Sequence, residues 1–310
     1  MNIFVSIASY CDELLFYTIN DCIKKSKNPE NIFFGIVDQN ESNQRDLIDK
    51  LEYSNRIRYV YINKIDSLGV CWARSIAFSL WNNEEYLLQI DSHMLFEENW
   101  DETIIKQYNE LKFKSNKPIL TIYPYGFKFD EFNNPTFTKQ SEETILVLKP
   151  MNDSNFAENN SILKFRAEHM FSKEHTMGFH IAAGFIFTSS EFIEEIPYDP
   201  YLYFHGEEQS LAIRAFTKGW DIYHPNKIVL YHYYKNKNES YTTHHWHNET
   251  DKKRVFNWNF LHERALKRLN KLLFEDGMKN SIYGLGTMRT IEDFKKLSGI
   301  DYKNKKLFIK

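Results

Sequence analysis

Tyr86-Leu-Leu-Gln-Ile90 runs straight into Asp91-Ser-His93-Met94, and the reading of the fold turns on this stretch. Its first five residues have the length and character of a buried strand, and the run stops on a carboxylate and an imidazole. Upstream, the same kind of segment recurs three times. Ile3-Phe-Val-Ser-Ile-Ala8, Ile32-Phe-Phe-Gly-Ile-Val37 and Ile57-Arg-Tyr-Val-Tyr-Ile62 read as strands one to three. Helical segments separate them: Glu13 to Lys25, Leu47 to Leu51 and Ala73 to Trp81. Strands alternating with helices at this spacing predict βαβ units. Right-handed crossovers then give an α/β, Rossmann-like, mainly parallel sheet flanked by helices. Ligands of such sheets bind outside the carboxyl ends of the strands. The polar residues just past strands one, two and four are therefore the first candidates for chemistry.

Downstream the pattern loosens. Lys128 to Lys173 is polar and reads as excursions from the sheet, an acceptor-side insertion. Ile181 to Phe187 reads as another buried strand, with Gly184 allowing close backbone approach. Gln209 to Thr217 is helical and Asp221 to Tyr234 strand-rich. Lys252 to Phe274 places Val255, Trp258, Leu261, Ala265, Leu269 and Leu272 near helical spacing, an amphipathic helix that docks on the domain. Its basic residues Lys267, Arg268 and Lys271 can meet an anionic lipid surface or simply face water, since Glu263 and Glu275 dilute the charge. The expected organisation is a catalytic domain over residues 1–250, with halves of about 1–100 and 101–250, and a C-terminal helical segment over 251–310.

Composition narrows the function classes. The 310 residues carry a formal net charge of −3, with 42% apolar and 26% charged residues. That excludes wholesale disorder, and it argues against a dedicated nucleic-acid binder, which needs a strong basic field. No apolar stretch reaches the ~18 residues of a membrane span, and the early run Ile3 to Ala8 is too short for a secretory core. Three cysteines without metal spacing suit a reducing compartment, so a cytoplasmic location is expected. Phe 25, Tyr 19 and Trp 6 make 50 rings, an excess that can include platforms for a base or a sugar face.

No G-x-G-x-x-G follows the first strand and no phosphate-binding P-loop motif occurs, so a standard dinucleotide site is not expected. Asp91 and His93 stand one residue apart just past a strand and so point the same way. Together they can share a divalent cation such as Mn²⁺, or be a turn aspartate beside a structural histidine. His232, at the end of a distant strand, can complete that shell and leave positions open for substrate. Leu68-Gly69-Val-Cys-Trp-Ala73-Arg74 is a glycine turn entering a helix, and a helix N-terminus with a guanidinium suits a phosphate-bearing ligand. Glu207 and Glu208 at a glycine turn can bind a sugar hydroxyl or act as a base. They can equally be helix N-terminal charges. His244-His245-Trp246-His247 looks like a metal tract, but a hydrogen-bonding or loop role fits better.

At these residues the chain resembles the GT-A-fold N-acetylglucosaminyltransferases, of the kind that modifies a hydroxyproline on a ubiquitin-ligase subunit. The resembling blocks are Ile3 to Tyr10, Ala73-Arg74, Gln89 to Met94, Ala182 to Gly184, His205 to Glu208, and Tyr283-Gly-Leu-Gly-Thr-Met-Arg-Thr290 with Ser298 to Asp301. They follow one another over nearly the whole chain. The resemblance implies a UDP-sugar donor, UDP-GlcNAc, a divalent metal (Mn²⁺ or Mg²⁺) and a saccharide or protein hydroxyl acceptor. It implies that Asp91, His93 and His232 hold the metal, and that Ser9, Tyr10, Asp12 and Arg74 border the nucleotide with Asp91 and Gly184. Glu207 and Glu208 would face donor sugar and acceptor, as catalytic residues with Asp91. Gly286 and Arg289 would belong to a segment closing over the diphosphate. The implied stereochemistry is retaining. Two positions depart from the pattern: Cys11 stands where an arginine is usual, and Val70 where a proline often follows the glycine. A non-catalytic module that binds a nucleotide sugar or carbohydrate is the alternative reading.

Overall fold

The structure is a computed structural model that describes residues 1–151, 155–157, 159–235 and 244–308. Strands β1 (Ile3–Tyr10), β2 (Ile32–Asn40), β3 (Ile57–Asn63) and β4 (Tyr86–Asp91) are parallel, in the spatial order β4-β1-β2-β3. Helices α1 (Leu15–Lys24), α2 (Arg45–Ile48) and α3 (Val70–Phe78) make the crossovers. Helix α1 buries Leu15, Thr18, Ile19 and Cys22, the single stripe that helical periodicity allows. Helix α3 starts one residue after Gly69, earlier than the expected Ala73. Gly69 has φ +103°, and a Cβ there would lie 2.5 Å from the Tyr203 ring, so only glycine fits this turn.

The chain continues through β5 (Met94–Phe96), α4 (Trp100–Lys112), β6 (Pro118–Thr121), β7 (Gly126–Phe129), β8 (Pro135–Phe137), β9 (Thr144–Pro150), β10 (Phe165–Phe171), β11 (Thr176–Met177) and β12 (Phe185–Ser189). Helices α5 (Glu191–Glu195) and α6 (Glu207–Thr217) and strands β13 (Asp221–His224) and β14 (Leu230–Tyr233) follow. The tail holds α7 (Asn248–Asp251), α8 (Trp258–Phe274), α9 (Ile291–Ser298) and the short pair β15 (Ile300–Asp301) and β16 (Lys306–Leu307).

The main sheet has eight strands in the order β11-β13-β6-β12-β4-β1-β2-β3. Strand β12 is antiparallel to β4 and β6, and β11 to β13; the other pairings are parallel. Helices cover both faces: α1 and α4 pack in one apolar cluster, and α6, α8 and α9 in another. This is why β1 is buried almost end to end. A four-stranded sheet, β5-β14-β7-β8, stands at the carboxyl end of β4, because only two residues separate β5 from it.

Two expectations need correction, and a third gains detail. The segment Lys128 to Lys173 does run off the main sheet, and within it β9 and β10 form an antiparallel hairpin with Ile145 to Leu148 buried. Residues 152–154 and 158 of that segment lie outside the described residues. The strand expected over Ile181 to Phe187 begins only at Phe185. Before it the backbone is held by side chains instead of a ladder: Ala182 N donates to Thr121 Oγ1, Ala183 N to Glu208 Oε1, and Ala183 O accepts from Gln89 Nε2. The helix expected from Lys252 starts at Trp258, where Asn257 caps it by accepting from Phe260 N. Ahead of the cap, Arg254 turns back to bond Tyr10 and Lys64, leaving Val255 91% exposed.

Candidate functional site

Strand β4 delivers Asp91 to the sheet edge, the following turn presents His93, and β14 brings His232 across from the second sheet. Their ligand atoms all lie within 4.8 Å of one another. His93 Nε2 is 3.1 Å from His232 Nε2, and His232 Nε2 is 3.3 Å from Asp91 Oδ2. The His93 ring is oriented from behind: its Nδ1 bonds Asp12 Oδ2 at 2.6 Å, which turns Nε2 toward the cluster. Ser92 Oγ donates to the same Asp12 oxygen. A carboxylate behind a ligating imidazole is the usual support of a metal-bound histidine. Burial works against the Asp12 charge, but His93 and then Lys235 hold its pKa down at about 2. Burial likewise opposes the charge on Asp91, yet His232 and Arg74 keep its carboxyl well below the ordinary range. Among the described residues His232 Nδ1 is buried without a partner. With His93 protonated on Nδ1 and His232 taking the same tautomer, two imidazole lone pairs and a carboxylate face one point. That donor set fits a borderline divalent cation.

Gly184 explains itself here. A Cβ on it would lie 2.4 Å from Asp91 Oδ2, so the carboxylate rests against bare backbone. On its other side, Asp91 Oδ1 takes a 2.6 Å bond from Arg74 Nη2, and Arg74 Nη1 bonds Glu207 Oε1 at 2.7 Å. Cys71 Sγ donates to the remaining Glu207 oxygen at 3.1 Å. Arg74 and Glu207 are both largely buried, on the wall of a cavity that Glu208 also lines, and they form a clamp behind Asp91. Burial pushes the Glu207 carboxyl up to about 7, against the pull of Arg74. Glu208 is different. It is 27% exposed, accepts from Ala183 N and Tyr123 OH, and faces open space. The expected pair thus splits into an internal carboxylate and an accessible one. Burial, reinforced by Glu208, drives the Tyr123 phenol far above its ordinary value, which keeps it a neutral donor.

Two cavities meet at Asp91, with Val70 and Phe204 also shared between them. The first, about 430 Å³, is walled by Tyr10, Tyr203, Phe204 and Trp246 and bordered by Gly69 and Val70 at the start of α3. Its far end is the Asp91, His93 and His232 cluster with Asp12. The second, about 630 Å³, contains Glu208, His180, Gly184 and Tyr123. Among the aromatic residues at this edge, Tyr10, Tyr203 and Phe204 line the first cavity, and Trp72 lines neither. Ser9 is buried beneath the edge, its carbonyl accepting from Gln39 Nε2.

Arg289 is not brought to the site. It bonds Trp220 O, pairs with Asp221 at 2.7 Å and lies over Phe216. Gly286 N bonds Thr217 Oγ1. Both contacts are at the end of α6 opposite Glu207, so this segment braces the helix and does not cover the cavities. His245 has the hydrogen-bonding role read from the sequence. Its Nδ1 pairs with Tyr203 OH at 2.8 Å and its Nε2 with Ser67 Oγ at 2.9 Å; burial, with Arg254 nearby, takes its pKa down to about 3. Sequence reasoning missed Arg254, which ties Tyr10 and His245 together from the tail. It also missed Tyr123, which follows the carboxyl end of β6 and so stood where the strand-end rule directs attention.

A family model described as Glycosyltransferase (GlcNAc) matches residues 2–54 and 48–304. No curated protein sequence matches the chain. Among solved structures, GalNAc-T7 with UDP, GalNAc and Mn²⁺ is similar at a TM-score of 0.56 and 13% identity, over 95% of this chain and 54% of that one. The chain thus spans about half the length of that neighbour. Residues 1–349 of S. aureus TarS are similar at a TM-score of 0.46 and 13% identity, over 87% of this chain and 71% of that one. The fold is that of a GT-A glycosyltransferase. The chain belongs to the Glycosyltransferase (GlcNAc) family.

Proposed function

We propose that the protein transfers N-acetylglucosamine from UDP-GlcNAc to a hydroxyl acceptor, with retention of configuration, using a divalent cation held by Asp91, His93 and His232. The observation that carries this reading is the convergence of those three side chains at the boundary shared by the two cavities. The family description supports the sugar, and the GalNAc-T7 structure contains UDP and Mn²⁺. When bound, the cation supplies Lewis-acid neutralisation of a diphosphate leaving group.

The chain's own residues do the rest. The ring-lined cavity takes the uridine, with Tyr10 and Tyr203 held by Arg254 and His245. The N-terminus of α3 favours the adjoining phosphates. Asp12 keeps the His93 tautomer, and the Arg74 and Glu207 clamp fixes the orientation of Asp91. Glu208, Tyr123 and the Ala183 N–H form a polar wall of the second cavity, where donor sugar and acceptor hydroxyl meet. Residues 1–100 would form most of the nucleotide side, residues 101–250 most of the acceptor side, and 251–310 the bracing tail. The three cysteines are unpaired, in keeping with a cytoplasmic enzyme. Among the described residues no helix is long and apolar enough to cross a membrane.

The test is UDP release from a panel of nucleotide sugars, with Mn²⁺ or with excess chelator. UDP-GlcNAc should be preferred, and chelator, Asp91→Ala or His93→Ala should silence release in a folded protein. Full turnover in chelator would refute metal dependence. Donor binding with no release on any acceptor would favour a non-catalytic binding module. A β-linked product in an anomeric NMR assignment would refute retention.

A further inference from the structure

A third cavity lies beside the two described. It is a groove of about 510 Å³ between β7 and the β9–β10 hairpin, lined chiefly by Tyr123, Tyr125, Leu146, His169 and Tyr234. Its size falls in the range of small-molecule sites, roughly 300–1,000 Å³. It shares Tyr123 with the cavity of Glu208 and Tyr234 with the cavity of the metal cluster. Tyr123 OH bonds Glu208, and the Tyr234 ring lies 4.2 Å from that of His232. The groove therefore ends on two rings that also border the reaction site.

Its chemistry differs from that of its neighbours. None of its lining residues is Asp, Glu, Lys or Arg, whereas the two adjoining cavities carry both carboxylates and basic side chains. The Tyr125 and His169 rings stand 6.0 Å apart at 41°, forming an angled wall. His169 Nδ1 is held by Thr144 Oγ1 at 2.9 Å, and its Nε2 has no bond among the described residues. Tyr234 is 47% exposed, with its hydroxyl tied to Pro124 O. A phosphorylated or acidic ligand would find no cation in this lining. A neutral sugar ring would find aromatic faces for its C–H surface and a ring nitrogen for a hydroxyl.

We propose that this groove is the acceptor subsite and that it takes a neutral oligosaccharide, whose terminal hydroxyl reaches past Tyr123 to Glu208. The inference rests on the glycosyltransferase reading above and names the acceptor class that reading leaves open. In the transfer, the acceptor oxygen bonds the anomeric carbon as the anomeric bond to UDP breaks. The hydroxyl proton leaves on the released diphosphate, so UDP and a new glycoside are the products.

The test is saturation-transfer NMR on the full chain with UDP and Mn²⁺. The probes are maltotriose, cellotriose, triacetylchitotriose, lactose and a hydroxyproline-containing peptide. Two variants, His169→Ala and Thr138→Trp, change the groove at exposed positions, one removing a wall and one filling the space. At least one saccharide should bind the parent protein, and both variants should weaken it about tenfold or more, with UDP affinity by calorimetry unchanged. Equal saccharide binding in both variants would overturn the subsite. So would binding of the peptide alone, or of no probe by a protein that still binds UDP. A parent protein that fails to bind UDP at all would instead refute the glycosyltransferase reading, and the subsite with it.

Discussion

Arg74 Nη1 lies 2.7 Å from Glu207 Oε1, and both side chains are buried behind Asp91. This pair changes what the two-glutamate motif does. Glu207 already has an internal partner on each oxygen, Arg74 on one and Cys71 on the other. Its effect on chemistry runs through Arg74 to Asp91 Oδ1, which leaves Oδ2 on the side of His232.

Glu207→Gln is therefore expected to act on metal binding. The glutamine keeps the shape but leaves Arg74 with Asp91 as its sole anionic partner. Mn²⁺ affinity, read by electron paramagnetic resonance, should fall roughly 10–100-fold, the usual cost of losing an outer-shell partner. A catalytic base would behave differently: kcat would collapse while Mn²⁺ affinity stayed at the parent value.

Gly184→Ala tests the close approach of backbone to Asp91. The φ of Gly184 is not positive, so alanine is permitted by the backbone. Its Cβ is not permitted by the carboxylate, 2.4 Å away. Metal affinity and transfer should drop at least tenfold while Tm moves by only about 2–4 °C, the shift of ~1 kcal/mol in a domain of this size. Parent-level Mn²⁺ affinity in a folded variant would show that Asp91 relaxes without consequence.

Arg289→Ala separates bracing from binding. The arginine pairs with Asp221 and caps the far end of α6, so the variant should lose about 1 kcal/mol of stability in urea unfolding. UDP affinity should be unchanged. A large loss of UDP affinity would restore the expectation that this segment reaches the diphosphate.

His224 links stability to pH. It is buried, with Nδ1 bonded to Thr121 O and Nε2 accepting from Leu148 N, so the fold holds the neutral ring. Burial takes its pKa from 6.5 down to about 4. Between those values the unfolded chain binds the proton and the folded one does not. Stability from this residue is thus complete above pH 6.5 and declines as pH falls toward 4, by about 3 kcal/mol in all. Chemical unfolding at pH 7, 5.5 and 4 should show that slope, and His224→Gln should flatten it. An unchanged slope in the variant would place the acid sensitivity elsewhere.

Much of the fold was legible in local pattern. Each of β1 to β4 is a short apolar run, and the helices between them carry one apolar stripe, so period and length sufficed. Asp91 and His93 were legible because a strand end fixes where its next residues point. What local pattern could not show was partnership. Whether Arg74 meets a phosphate or a glutamate depends on α6, more than 130 residues away in the chain. Whether Arg289 covers the site or braces a helix depends on which end of α6 it meets. The hairpin β9–β10, and with it the neutral groove, arises from pairing between segments whose own periodicity is weak. The 50 rings were equally ambiguous one by one. Sequence by itself determined the α/β layers, the placing of Asp91 and His93 at a strand end and the glycine turns, because these follow from backbone period and local sterics. Only the tertiary structure decided which carboxylate is buried in a clamp and which is more exposed, since burial and charge pairing belong to residues distant in sequence and adjacent in space.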